Sequence, residues 1–318
     1  MASSRFFYSG VFLVSSCLMA LQILQSRIFS VTTWYHLAFL VISIAMFGMA
    51  MAALHIHEGD RKKQQEEYGA MMARATDNLG LYIIIALQAQ LFIPIVHDSF
   101  LGTVFTLPLL SLLTVMPYYH AGKVLTLALT RTPFPVTRTY SIDLIGAAAG
   151  CLFALLLMQS IDTPSAVLFL SVLAFVSCLC FAALGKGAYK TGQTKILMFA
   201  IAGVMILNIA APRPFIYPVW IKSHIVMQDR LAHDEWNAIS RVTVNNEEKD
   251  RPPQLWGPSP FLTVDQFKIS SYLLMIDGDA ATPITHFTGE KKELGFLDYD
   301  VTTIAYKLPG IDRVGVVG

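Results

Sequence analysis

Long apolar runs alternate with short polar links over the first two thirds of the chain. Each run approaches the roughly 20 residues that an α-helix needs to cross the hydrocarbon core of a bilayer. The pattern predicts seven membrane-spanning helices: Phe6–Ile28, Thr32–Ile56, Leu79–Val96, Leu101–Leu129, Thr139–Met158, Pro164–Leu184 and Ile196–Ala211. Composition agrees, because only 14% of the 318 residues are charged, against about 25% in ordinary soluble domains. The first predicted partner is therefore the lipid bilayer.

Two features of this region lead to further expectations. The link Glu58–Asn78 has mixed charges, which predict a solvated helical hairpin loop. The fourth run is too long for one straight span, and we expect Pro117 to break it, because proline lacks a backbone donor and kinks helices. His120 and Lys123 follow that proline. They form either a polar pocket that faces Asp143 or the interfacial end of the span.

The fifth run carries an acid among small residues. Gly146 and Gly150 follow Asp143 by three and seven residues, which places all three on one helical face. A pair of small residues four apart lets another helix backbone approach closely. Asp143 is therefore either a hydrogen-bonded group inside the bundle or a direct cation ligand, and the sequence leaves both readings open.

Basic residues concentrate in the second, fourth and sixth links. The positive-inside rule then predicts a multi-pass protein of the cell (inner) membrane with a cytoplasmic N-terminus. Seven spans would leave the C-terminal part outside. The formal net charge of +1 argues against a nucleic-acid partner.

The composition becomes polar after Ala211 and predicts short strands at Val242–Val244, Ser271–Ile276 and Arg313–Val317. The stretch Arg251–Pro260 is rich in proline and predicts a loop. The last residues, 311–318, read IDRVGVVG. The first strand of a nucleotide- or adenosyl-binding α/β sheet enters its glycine-rich turn in this way.

The predicted fold is thus a multi-pass helical bundle of about seven helices over residues 1–211. A small β-rich segment follows over 212–310, and the first strand of an incomplete Rossmann-like domain over 311–318. The rest of that domain would come after Gly318, so we expect the chain to be cut.

Histidine and cysteine spacing predicts no metal site. The histidines of the C-terminal part are expected at the surface: His224, His233 and His286. The cysteines lie in apolar runs and are expected to be small core residues: Cys17, Cys151, Cys178 and Cys180.

The order of these motifs resembles that of bacterial membrane-bound spermidine-synthase-like proteins, in which a multi-span region precedes a polyamine-synthase-type domain. The resemblance covers most of the chain. It rests on Pro117–Gly122, Tyr140–Gly150, Ser240–Val244, Leu274–Gly278, Tyr299 and Val314–Gly318.

The resemblance implies aminopropyl transfer from decarboxylated S-adenosylmethionine, or a related adenosyl donor, to a diamine. Such chemistry needs carboxylates that hold the polycationic amine and accept its proton. By the same resemblance, Asp277 and Tyr299 belong to the substrate site and Gly318 to the donor site. Asp277 can equally be part of an Asp-Gly hairpin turn without a ligand.

The chain departs from the family pattern at several places. Ala281 replaces the glutamine expected after Asp-Gly. The Tyr-x-Glu pattern becomes Tyr299-Asp-Val301, with valine in place of the glutamate, and its downstream histidine is missing. The catalytic acid and most of the adenosyl pocket would lie beyond Gly318. We therefore expect this chain to hold no cofactor and to be inactive by itself.

Two other functions fit the same pattern. The first is a transporter or channel in which Asp143, His120 and Lys123 line a path for a cation or polyamine. The second is a membrane scaffold or sensor, and a second copy of the chain is a further candidate partner. The predicted topology conflicts with an enzyme, because adenosyl donors are cytoplasmic.

Overall fold

The computed structural model describes residues 2–95, 100–185, 187–253, 255, 269–307 and 309–310. The chain divides into two compact units. The first comprises Met1–Gln228 with Glu235–Arg241, and the second comprises Asp229–Asp234 with Val242–Gly318.

The first unit is built from α-helices. In chain order they are Ala2–Thr32 (α1), Leu40–Glu58 (α2), Arg61–Glu66 (α3), Tyr68–Phe92 (α4), Phe100–Thr130 (α5), Val136–Ser160 (α6), Thr163–Ala182 (α7) and Gly192–Ala210 (α8). Within the described residues, every helix except the short α3 is long and apolar enough to cross a membrane. The prediction of seven apolar spans is confirmed.

Helix α1 lies at the centre of the bundle. It packs mainly on α6 and α7, while α4 packs on α7 and α5, and α2 packs on α5. Apolar side chains fill the interior, yet large apolar side chains also point outward, among them Phe47, Phe105, Leu152 and Phe199. A surface with so many exposed apolar groups is suited to lipid rather than to water.

The predicted break at Pro117 is wrong. Helix α5 runs without interruption from Phe100 to Thr130, with Pro108 and Pro117 inside it. Gly48 of α2 packs closely against this turn, so that an added Cβ would lie 3.0 Å from the carbonyl oxygen of Val115. Membrane helices tolerate proline because neighbouring helices and small local adjustments satisfy the freed backbone groups.

The predicted loop Glu58–Asn78 is also largely wrong. Only its first part is a link, in which Asp60 caps α3 by accepting hydrogen bonds from the backbone nitrogens of Lys62 and Lys63. Helix α4 already begins at Tyr68, and its first turns are buried. Charged residues alternate with small buried residues in these turns, so the sequence shows no continuous apolar run there.

An antiparallel sheet follows the bundle in the chain, after a two-residue ladder of β1 (Trp220–Ile221) with β2 (His224–Ile225). Its strands are Leu231–Trp236 (β3), Arg241–Asn245 (β4), Lys249–Arg251 (β5), Ile269–Ile276 (β6) and Ala280–Thr285 (β7). Strand β6 is central: β4 and β5 pair with its two halves, and β7 pairs along its length.

Both predicted strands that fall in the described part are confirmed. Val242–Val244 lies within β4 and Ser271–Ile276 within β6. The predicted strand Arg313–Val317, and with it the Rossmann-like start at 311–318, lies outside the described residues.

Candidate functional site

Asp143 lies on α6 where this helix meets α1. The hydroxyl of Ser15 donates a hydrogen bond to Asp143 Oδ1 at 2.5 Å. Next to it, Ser16 Oγ donates to the backbone carbonyl of Gly146 at 2.8 Å. The half-buried carboxylate is therefore held by a neutral hydroxyl of the neighbouring helix.

The two glycines of α6 face the backbone of α1. A Cβ on Gly146 would lie 2.7 Å from the carbonyl oxygen of Phe12, and a Cβ on Gly150 would lie 2.9 Å from the carbonyl carbon and the Cα of Ser16. No side chain fits between these helices at either level. Asp143 therefore shares its helix face with the closest approach of α6 to α1.

His120 and Lys123 lie elsewhere, on α5. The buried imidazole of His120 stacks on the ring of Tyr82 of α4, with centroids 5.1 Å apart. The ammonium of Lys123 lies 5.2 Å from the ring centroid of Tyr119. In the part of the chain that the structure describes, no hydrogen bond or ion pair joins Asp143 to either residue. The three residues thus do not form one contact cluster.

Buried polar side chains also join α5 to α1 and to α4. Tyr118 Oη donates to Gln25 Oε1 at 2.6 Å, and Gln90 Nε2 donates to Thr114 Oγ1 at 3.4 Å. We call Gln25, Gln90, Thr114 and Tyr118 the α5 row. Sequence reasoning missed Gln90, because a single amide in an apolar run does not reveal which helix it faces.

A second acid inside the bundle was missed because it fell in the predicted loop. Thr194 of α8 donates to Asp77 Oδ1 of α4 at 2.8 Å. Tyr189, in the link before α8, hydrogen-bonds the same pair, and burial raises the pKa of its hydroxyl. Thr194 Oγ1 also lies 4.0 Å from the sulfur of Cys178 on α7. The carboxylate of Asp77 thus links α4 to α8, and Thr194 in turn contacts α7.

Asp277 and Gly278 form the tight turn between β6 and β7. Both have positive φ, +51° and +71°, and Asp279 N donates to Ile276 O at 3.2 Å. Two successive residues with positive φ are the signature of a type I′ hairpin, which an Asp-Gly pair favours. Asp277 therefore sits at the tip of the longest hairpin of the sheet.

The other two predicted ligand residues of the C-terminal part lie apart from that turn in the chain. Tyr299 ends the 3₁₀ helix Lys291–Tyr299 and is 48% exposed. Gly318 lies outside the described residues.

Glu248, which precedes β5, was not predicted as a site residue. Three polar side chains surround its carboxylate. Its Oε1 accepts from Ser270 Oγ at 2.7 Å and lies 2.9 Å from His286 Nδ1, while Tyr272 Oη lies 3.5 Å from Oε2. The Ser270 hydrogen bond and, next, His286 hold the pKa of Glu248 below its ordinary value. His224, His233 and His286 are exposed, as predicted.

No protein family, curated protein or solved structure matched the chain.

Proposed function

We propose that this chain is a membrane protein related to spermidine synthases, and that its sheet binds a diamine or polyamine. The observation that carries the proposal is the order of elements. Seven apolar helices precede an antiparallel sheet, and the motif Leu274–Gly278 forms the tip of the β6–β7 hairpin. The resemblance assigns the amine site to this motif.

The hairpin suits an amine ligand because of its charge and its rigidity. A protonated amine needs a carboxylate, and Asp277 offers one on a turn whose geometry is fixed by paired strands. An exposed ion pair contributes only about 0–1 kcal/mol. Asp277 alone therefore holds an amine weakly.

Aminopropyl transfer asks for more than amine binding. It needs an adenosyl donor and a base that accepts the amine proton while the sulfonium carbon is attacked. The resemblance assigns the donor contact to Gly318. Aminopropyl transfer is thus the reaction that the resemblance implies for the related enzymes. For this chain we propose only the amine-binding step.

Equilibrium binding of radiolabelled spermidine to the chain in lipid nanodiscs tests the proposal. The measurement is made at low ionic strength, because salt screens exposed charges. We expect Asp277→Asn to weaken binding several-fold. Asp279→Asn is the matched control, since it removes an acid from the same hairpin two residues on. Equal affinity of the wild-type chain and Asp277→Asn would refute the assignment.

A further inference from the structure

A groove with a volume of about 480 Å³ lies between α1 and α6. Its lining residues are Tyr8, Ser9, Phe12 and Leu13 of α1 and Ile142 of α6. These side chains are apolar apart from two hydroxyls, and Ser9 is exposed, so the groove is open to the outside of the bundle. Small-molecule sites have volumes of about 300–1,000 Å³. In a bundle whose outer surface is suited to lipid, this groove is accessible from the bilayer.

The groove lies near the starts of both helices. Phe12 faces Gly146 and Ser16 faces Gly150, so α1 and α6 run in the same direction. The lining part of α1 extends over five residues, from Tyr8 to Leu13, which is about 8 Å along the helix axis. The lining residue of α6 follows the first residue of that helix by only six positions. The groove is therefore close to one end of the bundle and hence to one membrane surface.

Arg138 lies at the outer end of this groove. Its guanidinium carbon is 4.6 Å from the centroid of the Tyr8 ring. Arg138 precedes Ile142 by four residues, so both side chains are on one face of α6. The Tyr8 ring contacts two further rings, with centroid distances of 5.3 Å to Phe7 and 5.8 Å to Phe134. A fixed aromatic ring thus holds a positive charge beside an apolar groove.

No acid balances this charge. Among the residues that the structure describes, no carboxylate forms an ion pair with Arg138. The sequence has no acid in α1 and none from Thr130 to Ile142. The next acid along α6, Asp143, accepts the hydrogen bond of Ser15. The starts of two parallel helices add partial positive charge at the same end of the bundle. This end of the groove therefore favours an anion.

We propose that the groove between α1 and α6 binds one anionic phospholipid. Its acyl chain lies along Phe12, Leu13 and Ile142, and Arg138 binds its phosphate, because a planar guanidinium donates parallel hydrogen bonds to phosphate oxygens. A zwitterionic lipid carries an ammonium beside its phosphate, and Arg138 repels that second charge. The basic links predict that this end of the bundle is cytoplasmic, where the membrane surface is rich in anionic lipid.

Native mass spectrometry of the chain, released from detergent micelles, tests this site. The chain is titrated with phosphatidylglycerol or with phosphatidylcholine of the same acyl chains, and the bound lipid is counted. We expect the wild-type chain to retain phosphatidylglycerol several-fold better. Equal retention of the two lipids would overturn the proposal. Glycerol phosphate has the anion but no acyl chain, so it should not displace the lipid. Displacement would show that the groove does not contribute to binding.

Arg138→Gln should lower the retention of phosphatidylglycerol several-fold. Arg61→Gln is the matched control, because Arg61 is also exposed and its link is separated from that of Arg138 by two crossings, α4 and α5, hence on the same side of the membrane. Equal effects of both substitutions would indicate a general attraction of anionic lipid and refute the site.

Ser9→Trp fills the groove from its exposed side and leaves Arg138 in place. We expect the same several-fold loss of bound phosphatidylglycerol, and retention at the wild-type level would contradict an acyl chain in the groove. Unchanged elution volume and helical circular dichroism show that the bundle is retained. If a variant does not fold, the comparison of the two lipids on the wild-type chain decides the matter. No amine is added, so these results are independent of the proposed amine binding.

Discussion

Replacing Gly150 with alanine tests whether α6 packs directly on the backbone of α1. The added Cβ would lie 2.9 Å from two backbone atoms of Ser16. No side-chain rotation can relieve a clash with backbone, so the helices must separate. Overpacking of this kind costs about 1–3 kcal/mol. Separation also weakens the Ser16–Gly146 hydrogen bond, which adds about 1 kcal/mol, so we expect a total loss of about 2–4 kcal/mol.

Gly203→Ala is the matched control for this substitution. Gly203 also lies inside an apolar helix, α8, but an added Cβ would meet nothing within 4 Å. Because glycine disfavours helix by about 0.5–1 kcal/mol relative to alanine, this variant should be as stable as the wild type or slightly more stable. Only the contact with α1 distinguishes the two positions.

Thermal unfolding in mild detergent, followed by size-exclusion chromatography of the heated samples, measures both variants. We expect Gly150→Ala to unfold at clearly lower temperature than the wild type, and Gly150→Leu to unfold lower still. Coincident curves for Gly150→Ala and Gly203→Ala would refute the packing argument. They would indicate that the α6 face carrying Asp143 faces lipid.

Three further predictions concern acids and topology. Asp143→Asn keeps an acceptor for Ser15 and should melt near the wild-type temperature. Asp143→Leu should lower the free energy of unfolding by about 1 kcal/mol. Equal melting temperatures of the two variants would show that this hydrogen bond does not contribute to stability. The pKa of Glu248 is lowered from 4.5, so its stabilising effect is complete above pH 4.5 and disappears as pH falls through the lowered pKa. An acid titration of near-UV circular dichroism should therefore show less pH dependence below 4.5 in Glu248→Gln than in Glu290→Gln. A phosphatase reporter fused after Pro218 should be active outside the cytoplasm, by the positive-inside rule; activity of a cytoplasmic reporter there would contradict this.

The sequence was sufficient for the helices and insufficient for their contacts. Seven apolar runs must be helical in lipid, because only helices satisfy their own backbone groups there. The small-residue spacing of Gly146 and Gly150 indicated a packing face, but not that α1 would fill it. The partner of a helix depends on tertiary arrangement, which periodicity does not contain.

The two errors in the membrane part have a common cause. Pro117 and the charged start of α4 were judged by rules for isolated helices in water. In the bundle, Gly48 supports the proline-bearing turn, and Thr194 satisfies Asp77. The contact between Gln90 and Thr114 was missed for a related reason, since it exists only when α4 and α5 lie side by side.

The side of the membrane on which the sheet lies depends on whether α8 is a true crossing. Thr194, near its start, contacts Cys178 near the end of α7, and Asn208, near its end, donates to Ser165 Oγ at the start of α7 at 2.9 Å. These contacts are 14 residues apart on α8, or about 21 Å, so α8 runs antiparallel to α7 over most of its length. An incomplete crossing by α8 therefore does not explain why the predicted topology conflicts with a cytoplasmic adenosyl donor. If the basic links orient the bundle, the sheet lies outside the cytoplasm. Amine binding there needs no cytoplasmic adenosyl donor, whereas aminopropyl transfer does.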